Sequence, residues 1–533
     1  MNTVLGEQTW TTSAKHFIGS RRNLLIGGEW VPAASGKTFA VFDPAYGREI
    51  ARVAEADVED VNRAVEAARK AFEGGPWSRM TASERGRMLW KLAELIETHT
   101  DELAEIESID NGKPFSVARV ADLPLSVDLL RYHAGWATKV RGTTMEIPGS
   151  YLAYTLREPI GVVAAIIPWN FPLLMAVWKL APALAVGCTV VLKLAEQTPL
   201  SGLRLGELIQ EAGFPPGTVN ILAGFGETAG AALAAHNGVD KIAFTGSTEV
   251  GKLIVRAAAG NLKKVTLELG GKSPTVVFAD ADLNAAIPGV STSIFFNHGQ
   301  CCVAGSRLYA HEKVFDQVVE GVASAARNIK LGPGLNTDSE MGPLVSQEQY
   351  KRVSDYIQSG SNEGARVVVG GQGSVREKGY FIRPTVLTNV SSDMKVVREE
   401  IFGPVLVATP FSDNDIEAIA REANDTIYGL AANVWTSDIA VAHLMAKRIR
   451  AGTVWVNCTT VLDPALPFGG YKQSGWGREL GLQGLETYLV SKVLFEMCCN
   501  LHSNLHSFKV RPFLLWRSSG LANSSLNRTG WVW

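Results

Sequence analysis

A mostly parallel α/β fold is predicted by two features of this chain: short apolar runs that alternate with helix-like or loop segments from Gly161 onward, and amphipathic helical patterns before them. In the N-terminal part, Val58, Val61, Val65, Ala68 and Phe72 recur at helical spacing while Arg63, Glu66 and Arg69 take the other faces, which predicts a helix over 57–72. A second pattern over 83–107, with Leu89, Leu92, Leu95 and Ile96 as its apolar stripe, predicts another helix. The runs 162–167, 189–192, 219–222, 242–244, 265–269 and 275–278 read as strands of a sheet covered on both faces, because they are apolar without alternation. Ligands of such sheets bind beyond the strand carboxyl ends. The alternation resumes after Arg307, through a helix over 314–329, so a second α/β unit is expected.

The 533 residues are 46% hydrophobic and 20% charged, an ordinary globular composition. Lys and Arg number 51 against 53 Asp and Glu, so the whole-chain electrostatic footprint of a nucleic-acid binder is missing. The first fifteen residues hold no continuous apolar core of the kind a secretory signal requires. The longest apolar stretch, 180–192, is broken by Pro182 and Gly187 and falls short of the ~20 residues that span a bilayer, so it reads as buried interior and no membrane partner is expected. Six cysteines, at 188, 301, 302, 458, 498 and 499, include no CxxC pair and no zinc-ligand spacing; this suits a reducing compartment, read as cytoplasmic, and predicts no metal site. The end of the chain, 500–533, has no Asp or Glu, many Ser and Asn, and three Trp outside any periodic pattern; it does not read as a domain.

Several strings carry chemistry. Asn297-His298-Gly299-Gln300-Cys301-Cys302 places two thiols in a small-residue loop with approach space for a nucleophile; the alternative is a pair of small buried hydrophobes. Glu268 ends an apolar strand ahead of Gly270-Gly271, where burial would raise its pKa and suit it to act as a base; the alternative is a carboxylate that caps the glycine turn. Asn170, in Pro168-Trp169-Asn170-Phe171-Pro172, ends another strand, as an oxyanion donor or as an Asx-turn residue. Phe244-Thr245-Gly246-Ser247 leads from strand to helix and would aim N–H groups and the Ser247 hydroxyl at an anion, or be an ordinary N-cap. Gly224-Phe225-Gly226, with Gly230, is one residue longer than the dinucleotide fingerprint and equally a plain turn into a helix. Lys193 and Glu196 close a strand, either gripping ribose hydroxyls or as surface charge.

Taken together, LELGGKSP (267–274), FNHGQCCVAGSR (296–307), FTGSTEVG (244–251), EEIFGPV (399–405) and PFGGYKQSGWGRELG (467–481) closely resemble the aldehyde dehydrogenase superfamily, over about 25–491. The resemblance implies a Rossmann-like NAD-binding domain (1–137 and 160–271), an α/β catalytic domain (272–475) and a small β oligomerisation arm (138–159 and 486–498), followed by an atypical tail (499–533). It implies a homo-oligomer, dimer or tetramer, and NAD-dependent oxidation of a small-molecule aldehyde to its acid. In that reading Cys302, rather than Cys301, attacks the aldehyde carbon and Asn170 with the Cys302 backbone N–H holds the oxyanion. Glu268 activates the water that cuts the thioester, and Lys179 and Glu479 relay the proton.

NAD would be met by Ile166, Trp169, Phe244, Gly246, Ser247 and Val250 on one side, and by Gly226, Gly230 and Leu269 nearby. Lys193 and Glu196 would meet the adenosine ribose, with Glu196 repelling a 2′-phosphate and so favouring NAD over NADP; Glu400 and Phe402 would meet the nicotinamide end. The aldehyde tunnel would be lined by Phe171, Met175, Trp178, Val461, Leu462 and Phe468, which favours aliphatic or aromatic aldehydes, although Met175 and Trp178 also fit plain core packing. Leu194 stands where such sequences commonly have proline, which removes a fixed φ beside the ribose contact and is expected to loosen cofactor binding without touching the chemistry. The tail is expected to disturb assembly if it displaces the last arm strand, read as 487–496. Three competing readings are a cofactor-independent thiol esterase with His298 as base, a CoA-acylating dehydrogenase, and an inactive structural protein on the same fold.

Overall fold

The computed structural model describes residues 12–19, 22–373, 375–376, 378–412 and 415–497, so the tail 500–533 lies outside the described residues. All six apolar runs fold as strands: β1 Val162–Ile166, β2 Thr189–Leu194, β3 Val219–Ala223, β4 Lys241–Thr245, β5 Lys264–Glu268 and β6 Pro274–Val277. The first five form the parallel centre of an eight-stranded sheet in the order β5-β4-β1-β2-β3. Every residue of β1, β2 and β3 is buried, as their unbroken apolar character requires. The chain steps outward from β1 through β2 and β3, then returns to the other side of β1 as β4 and β5. The gap between β1 and β4 is therefore the point where strand order reverses, and it opens a crevice at the carboxyl ends.

The second α/β unit is a seven-stranded sheet. It comprises β6, β7 (Arg307–His311), β8 (Thr385–Thr388), β9 (Val405–Phe411), β10 (Ala431–Trp435) and β11 (Thr453–Val456), parallel in the order β8-β9-β7-β6-β10-β11, with Arg366–Val369 antiparallel at the β8 edge. Short edge segments complete the first sheet. Leu24–Ile26 pairs antiparallel with β3, and Gly475–Trp476 pairs antiparallel with β5, so the end of the expected catalytic segment is stitched onto the other sheet.

The helix expected over 57–72 is Val58–Glu73, started by a capping box between Asp57 and Asp60. The pattern over 83–107 is two helices, Ala82–Thr98 and Thr100–Asn111. At the break His99 leaves helical geometry (φ −99°, ψ 19°) and its Nδ1 meets Glu102 Oε2 at 2.8 Å. The apolar stripe runs straight through, which is why periodicity does not reveal the break. The stretch 180–192 is interior, as expected: it ends the fully buried helix Pro172–Val186 and opens β2. Between them Gly187, at φ 100°, supplies the left-handed helix stop that a Cβ would strain.

Among the described residues, both sheets belong to one compact unit within residues 12–142 and 156–492; Thr143–Thr155 and Val493–Met497 form a second. A three-stranded sheet orders Leu489–Met497, Tyr151–Pro159 and Thr144–Met145. Among the described residues no helix is long and apolar enough to cross a membrane.

Leu194 is fully buried, and a Cβ built on Gly202, in the helix Leu200–Ala212, would collide with its methyl groups. Overpacking of this kind costs about 1–3 kcal/mol, whereas Ala gains up to ~1 kcal/mol over Gly in a helix interior. Gly202→Ala is therefore expected to destabilise the protein, and to become stabilising once Leu194→Ala has opened the space. Chemical denaturation of the four proteins tests this; an equal effect of Gly202→Ala in both backgrounds contradicts the packing.

Candidate active site

The strands that meet at the reversal deliver their following residues to one cavity of about 910 Å³. Trp169, Asn170 and Phe171 come from β1, Thr245, Gly246 and Ser247 from β4, and Glu268, Leu269 and Gly270 from β5. The opposite wall is supplied by Phe296, Cys301, Cys302 and Val303 ahead of β7, and by Glu400 and Phe402 ahead of β9.

The cysteine loop owes its course to a helix stop. After the helix Leu283–Phe295, Asn297 and His298 take left-handed geometry (φ 47° and 60°) and Gly299 follows at φ 68°. Asn is among the residues that tolerate this region, and a Cβ on Gly299 would collide with the Gly403 carbonyl. Asn297 Nδ2 donates to the carbonyls of Asn170 and Gln300, both at 3.0 Å, and Asn170 Nδ2 donates to Gln300 O at 3.0 Å. The segment just before the thiols is thus pinned to Asn170, whose own side chain is buried. This is more than an Asx turn, since the amide is oriented by a residue far away in sequence.

Both thiols reach the cavity and touch one another. The Cys302 thiol is pushed well above its ordinary range, first by its hydrogen bond with Cys301 and by burial, then by the negative charge of Cys301, Glu400 and Glu268. The same thiol contact draws Cys301 down. A neutral Cys302 needs a base in reach.

Glu268 lines the same cavity. It is buried, and neither carboxylate oxygen has a hydrogen-bond partner among the described residues. Burial chiefly, and then the Glu479 charge, hold its carboxyl well above the usual range against the pull of Lys179 and Arg478. The capping alternative falls to another residue: the Gly271 N–H donates to Glu400 Oε1 at 2.9 Å. Burial pushes Glu400 up to about 7. Lys179 and Glu479 lie outside the cavity lining as a buried ion pair, Nζ to Oε1 2.6 Å. Next to that pair is Lys241, lowered to about 7 by burial, with Nζ donating to Thr266 Oγ1 at 2.9 Å.

Of the expected cofactor residues, Trp169, Gly246, Ser247, Leu269, Glu400 and Phe402 line the cavity. Trp169 and Phe402 meet edge to face at 5.2 Å, with Phe402 held at φ 60°. Ser247 caps the helix Thr248–Ala258 by accepting the Val250 N–H, so the N-cap reading is realised at the same place as the cavity wall. The Thr245 hydroxyl is buried without a partner among the described residues and lines the same floor, as a polar ligand would require. Ile166, Phe244, Val250, Gly226, Gly230, Lys193 and Glu196 are not part of the cavity lining. Lys193, near the end of β2, and Glu196, just after it, pair at 2.9 Å.

At the aldehyde end Phe171, Met175, Trp178, Leu462 and Phe468 line the cavity. Met175 and Trp178 are buried yet face the opening, and the Trp178 indole N–H has no partner among the described residues. Val461 does not join them: its carbonyl accepts from the Trp455 indole at 3.0 Å and its side chain is 59% exposed. Sequence reading missed Phe296, which stacks on Phe171 at 6.1 Å, although it adjoins the cysteine motif. It also missed Asp122 and Leu125, which come from a helical region with no motif at all. His298 is no base for the thiols. Burial pushes it down to about 3, and its Nε2 accepts the Gly342 N–H at 3.1 Å.

The model of the aldehyde dehydrogenase family matches residues 30–494. A mitochondrial aldehyde dehydrogenase of Arabidopsis thaliana, family 2 member B4, is 52% identical over 476 residues, which are 89% of this chain and 88% of the relative. The mitochondrial benzaldehyde dehydrogenase of Antirrhinum majus is 50% identical over 472 residues, 88% of either chain. The solved NAD+ complex of an aldehyde dehydrogenase from Bacillus cereus is similar with a TM-score of 0.91 at 50% identity, over 92% of this chain and 99% of that one. The chain belongs to the aldehyde dehydrogenase family and catalyses the NAD-dependent oxidation of an aldehyde.

Proposed function

We propose that Cys302 is the nucleophile, Glu268 the base, and Asn170 with the Cys302 backbone N–H the oxyanion site of this oxidation. The reading is carried by one observation: a thiol, a carboxyl with both oxygens unpartnered and an oriented side-chain amide line the same cavity. Glu268 takes the Cys302 proton, and sulfur adds to the aldehyde carbon to give a thiohemiacetal oxyanion. The Asn170 amide keeps one hydrogen on Gln300 O and offers the other to this oxyanion. NAD, when bound, would supply the acceptor for the hydride of the same carbon. A thioester remains; Glu268, once it has passed the thiol proton on toward the Lys179–Glu479 pair, deprotonates a water that attacks the thioester, the C–S bond breaks and the acid is released, with the water's proton left on Glu268. The proton then passes from Glu268 toward the Lys179–Glu479 pair. Glu400 and Phe402 would face the nicotinamide end of the cofactor, Ser247 its phosphates, and Lys193 with Glu196 its adenosine ribose.

The aromatic lining of Phe171, Trp178, Phe296 and Phe468 supports an apolar, aliphatic or aromatic, aldehyde, in line with the benzaldehyde named for one relative. Glu268, free to activate water, supports hydrolysis rather than transfer to CoA. A commitment of His298 to Gly342 argues against the esterase as a separate function. Cys188, Cys301, Cys302 and Cys458 are free thiols, which supports a reducing compartment such as the cytoplasm. Exposed Val493, Phe495 and Met497 on the last strand support a homo-oligomeric arm.

Cys302→Ala is expected to abolish NADH formation, whereas Cys301→Ala retains most of it. Glu268→Gln is expected to cut steady-state turnover by about 10²–10⁴-fold, through slowed thiol activation and water attack. Rapid-mixing measurements with an apolar aldehyde test this, and activity surviving Cys302→Ala but not Cys301→Ala overturns the assignment.

Because Glu268 works deprotonated and its pKa is raised, kcat is expected to rise with pH through that value and to be lost toward acid. Glu479→Gln removes a charge that lifts Glu268 and leaves Lys179 to stabilise the carboxylate, so the acid limb moves to lower pH. A kcat–pH profile whose limb stays in place or moves up contradicts the coupling.

If the final strand joins subunits, a chain ending at Thr487 sediments as a smaller species than the full chain. Identical oligomers refute the arm.

A further inference from the structure

Lys113 follows the helix Thr100–Asn111, just after Gly112 has turned the chain at φ 93°. Its side chain is fully buried, and its ammonium pairs with Asp122 and with Glu107 Oε1 at 3.2 Å, both carboxylates being buried as well. The same nitrogen donates to the Asn170 carbonyl at 3.1 Å and lies 4.5 Å from the centre of the Phe171 ring. Glu107 reaches further: its Oε2 accepts the N–H of Leu173, in the first turn of the helix Pro172–Val186 that carries Met175 and Trp178. One cation thus touches the peptide of Asn170 and the ring of Phe171, while its carboxylate partners hold the next helix and a patch of cavity wall.

The Asn170 carbonyl has two donors, Lys113 Nζ and Asn297 Nδ2, which fix the peptide plane from opposite parts of the chain. The Asn170 side-chain amide then has a single acceptor, Gln300 O. We propose that Lys113, anchored by Glu107 and Asp122, is a positioning residue for Asn170, holding its peptide so that the free amide hydrogen points at the aldehyde oxygen. This rests on Asn170 being the oxyanion donor. Lys113 touches neither aldehyde nor thiol, and acts through the backbone of its neighbour. A charged cluster with no other task in the reaction is otherwise an expensive thing to bury.

A double-mutant cycle on the full chain tests this, read as the single-turnover rate of NADH formation at saturating NAD, with NAD affinity and thermal unfolding measured alongside. Lys113→Met is expected to slow that step by about 10–100-fold, the scale of a misplaced catalytic group, with NAD affinity unchanged. In the Asn170→Ala background the same substitution is expected to cost roughly twofold or less, because the amide it positions is gone. Lys113→Arg keeps the charge that balances Glu107 and Asp122, so it decides the question if Lys113→Met does not fold: a smaller slowing, again absent in Asn170→Ala. Equal slowing in both backgrounds overturns the positioning role and assigns Lys113 to general stability; no slowing in either variant overturns it too. A full rate in Asn170→Ala alone overturns the oxyanion assignment instead, and the inference with it.

Discussion

At Gly270-Gly271 the chain leaves one sheet and enters the other, and two distant segments press against it there. A Cβ on Gly270 would strike the Glu400 carboxylate, and one on Gly271 the Cys302 carbonyl. With glycine at both positions the Gly271 N–H bonds Glu400, while Ser474 Oγ donates to Gly270 O at 2.6 Å and its carbonyl accepts the Leu269 N–H. This close approach of backbones sets the distance between Glu268 on β5, the thiols ahead of β7 and Glu400 ahead of β9. The strand reversal between β1 and β4 supplies the crevice, and the glycine pair closes the cysteine loop onto it.

Inside that closure the electrostatics run one way. Glu268, Glu400 and Cys302 are all pushed toward their neutral forms: Glu268 by loss of water and then by the Glu479 charge, Glu400 by loss of water, and Cys302 by the Cys301 contact, by loss of water and by the charges of Cys301, Glu400 and Glu268. Glu400, at about 7, is placed near neutral pH, where proton transfer is efficient, and Glu268 is shifted in the same direction. Other charged groups are paired around it: Lys179 with Glu479 behind the wall, and Lys113 with Glu107 and with Asp122, which itself lines the cavity. Buried pairs add little net stability over apolar packing. Their placement against Glu268 and Asn170 gives them a reason in the chemistry rather than in the fold.

Much of this was legible beforehand. Six unbroken apolar runs announced strands because a doubly covered strand cannot alternate, and the motifs at 244–251 and 267–274 leave strand carboxyl ends, where such sheets free backbone and side chains. The break at His99 was not legible, since the stripe of helix Ala82–Thr98 runs on in phase. Nor were Leu24–Ile26 and Gly475–Trp476, too short to show a pattern, or the outward turn of Val461, which depends on a hydrogen bond to Trp455. His298 offered a base by its spacing from Cys302, and only its burial against Gly342 withdraws it.

The sequence by itself determined the fold class, the family and the residue types the reaction needs, because local pattern and motif are carried by neighbours along the chain. The tertiary structure decided which of those residues share a cavity, that Glu400 rather than Glu268 caps the glycine turn, that Leu194 packs on Gly202, and that Lys113 reaches the Asn170 carbonyl. Each of these is a contact between different elements of the fold or a matter of burial. Side-chain spacing along one segment carries no information about either.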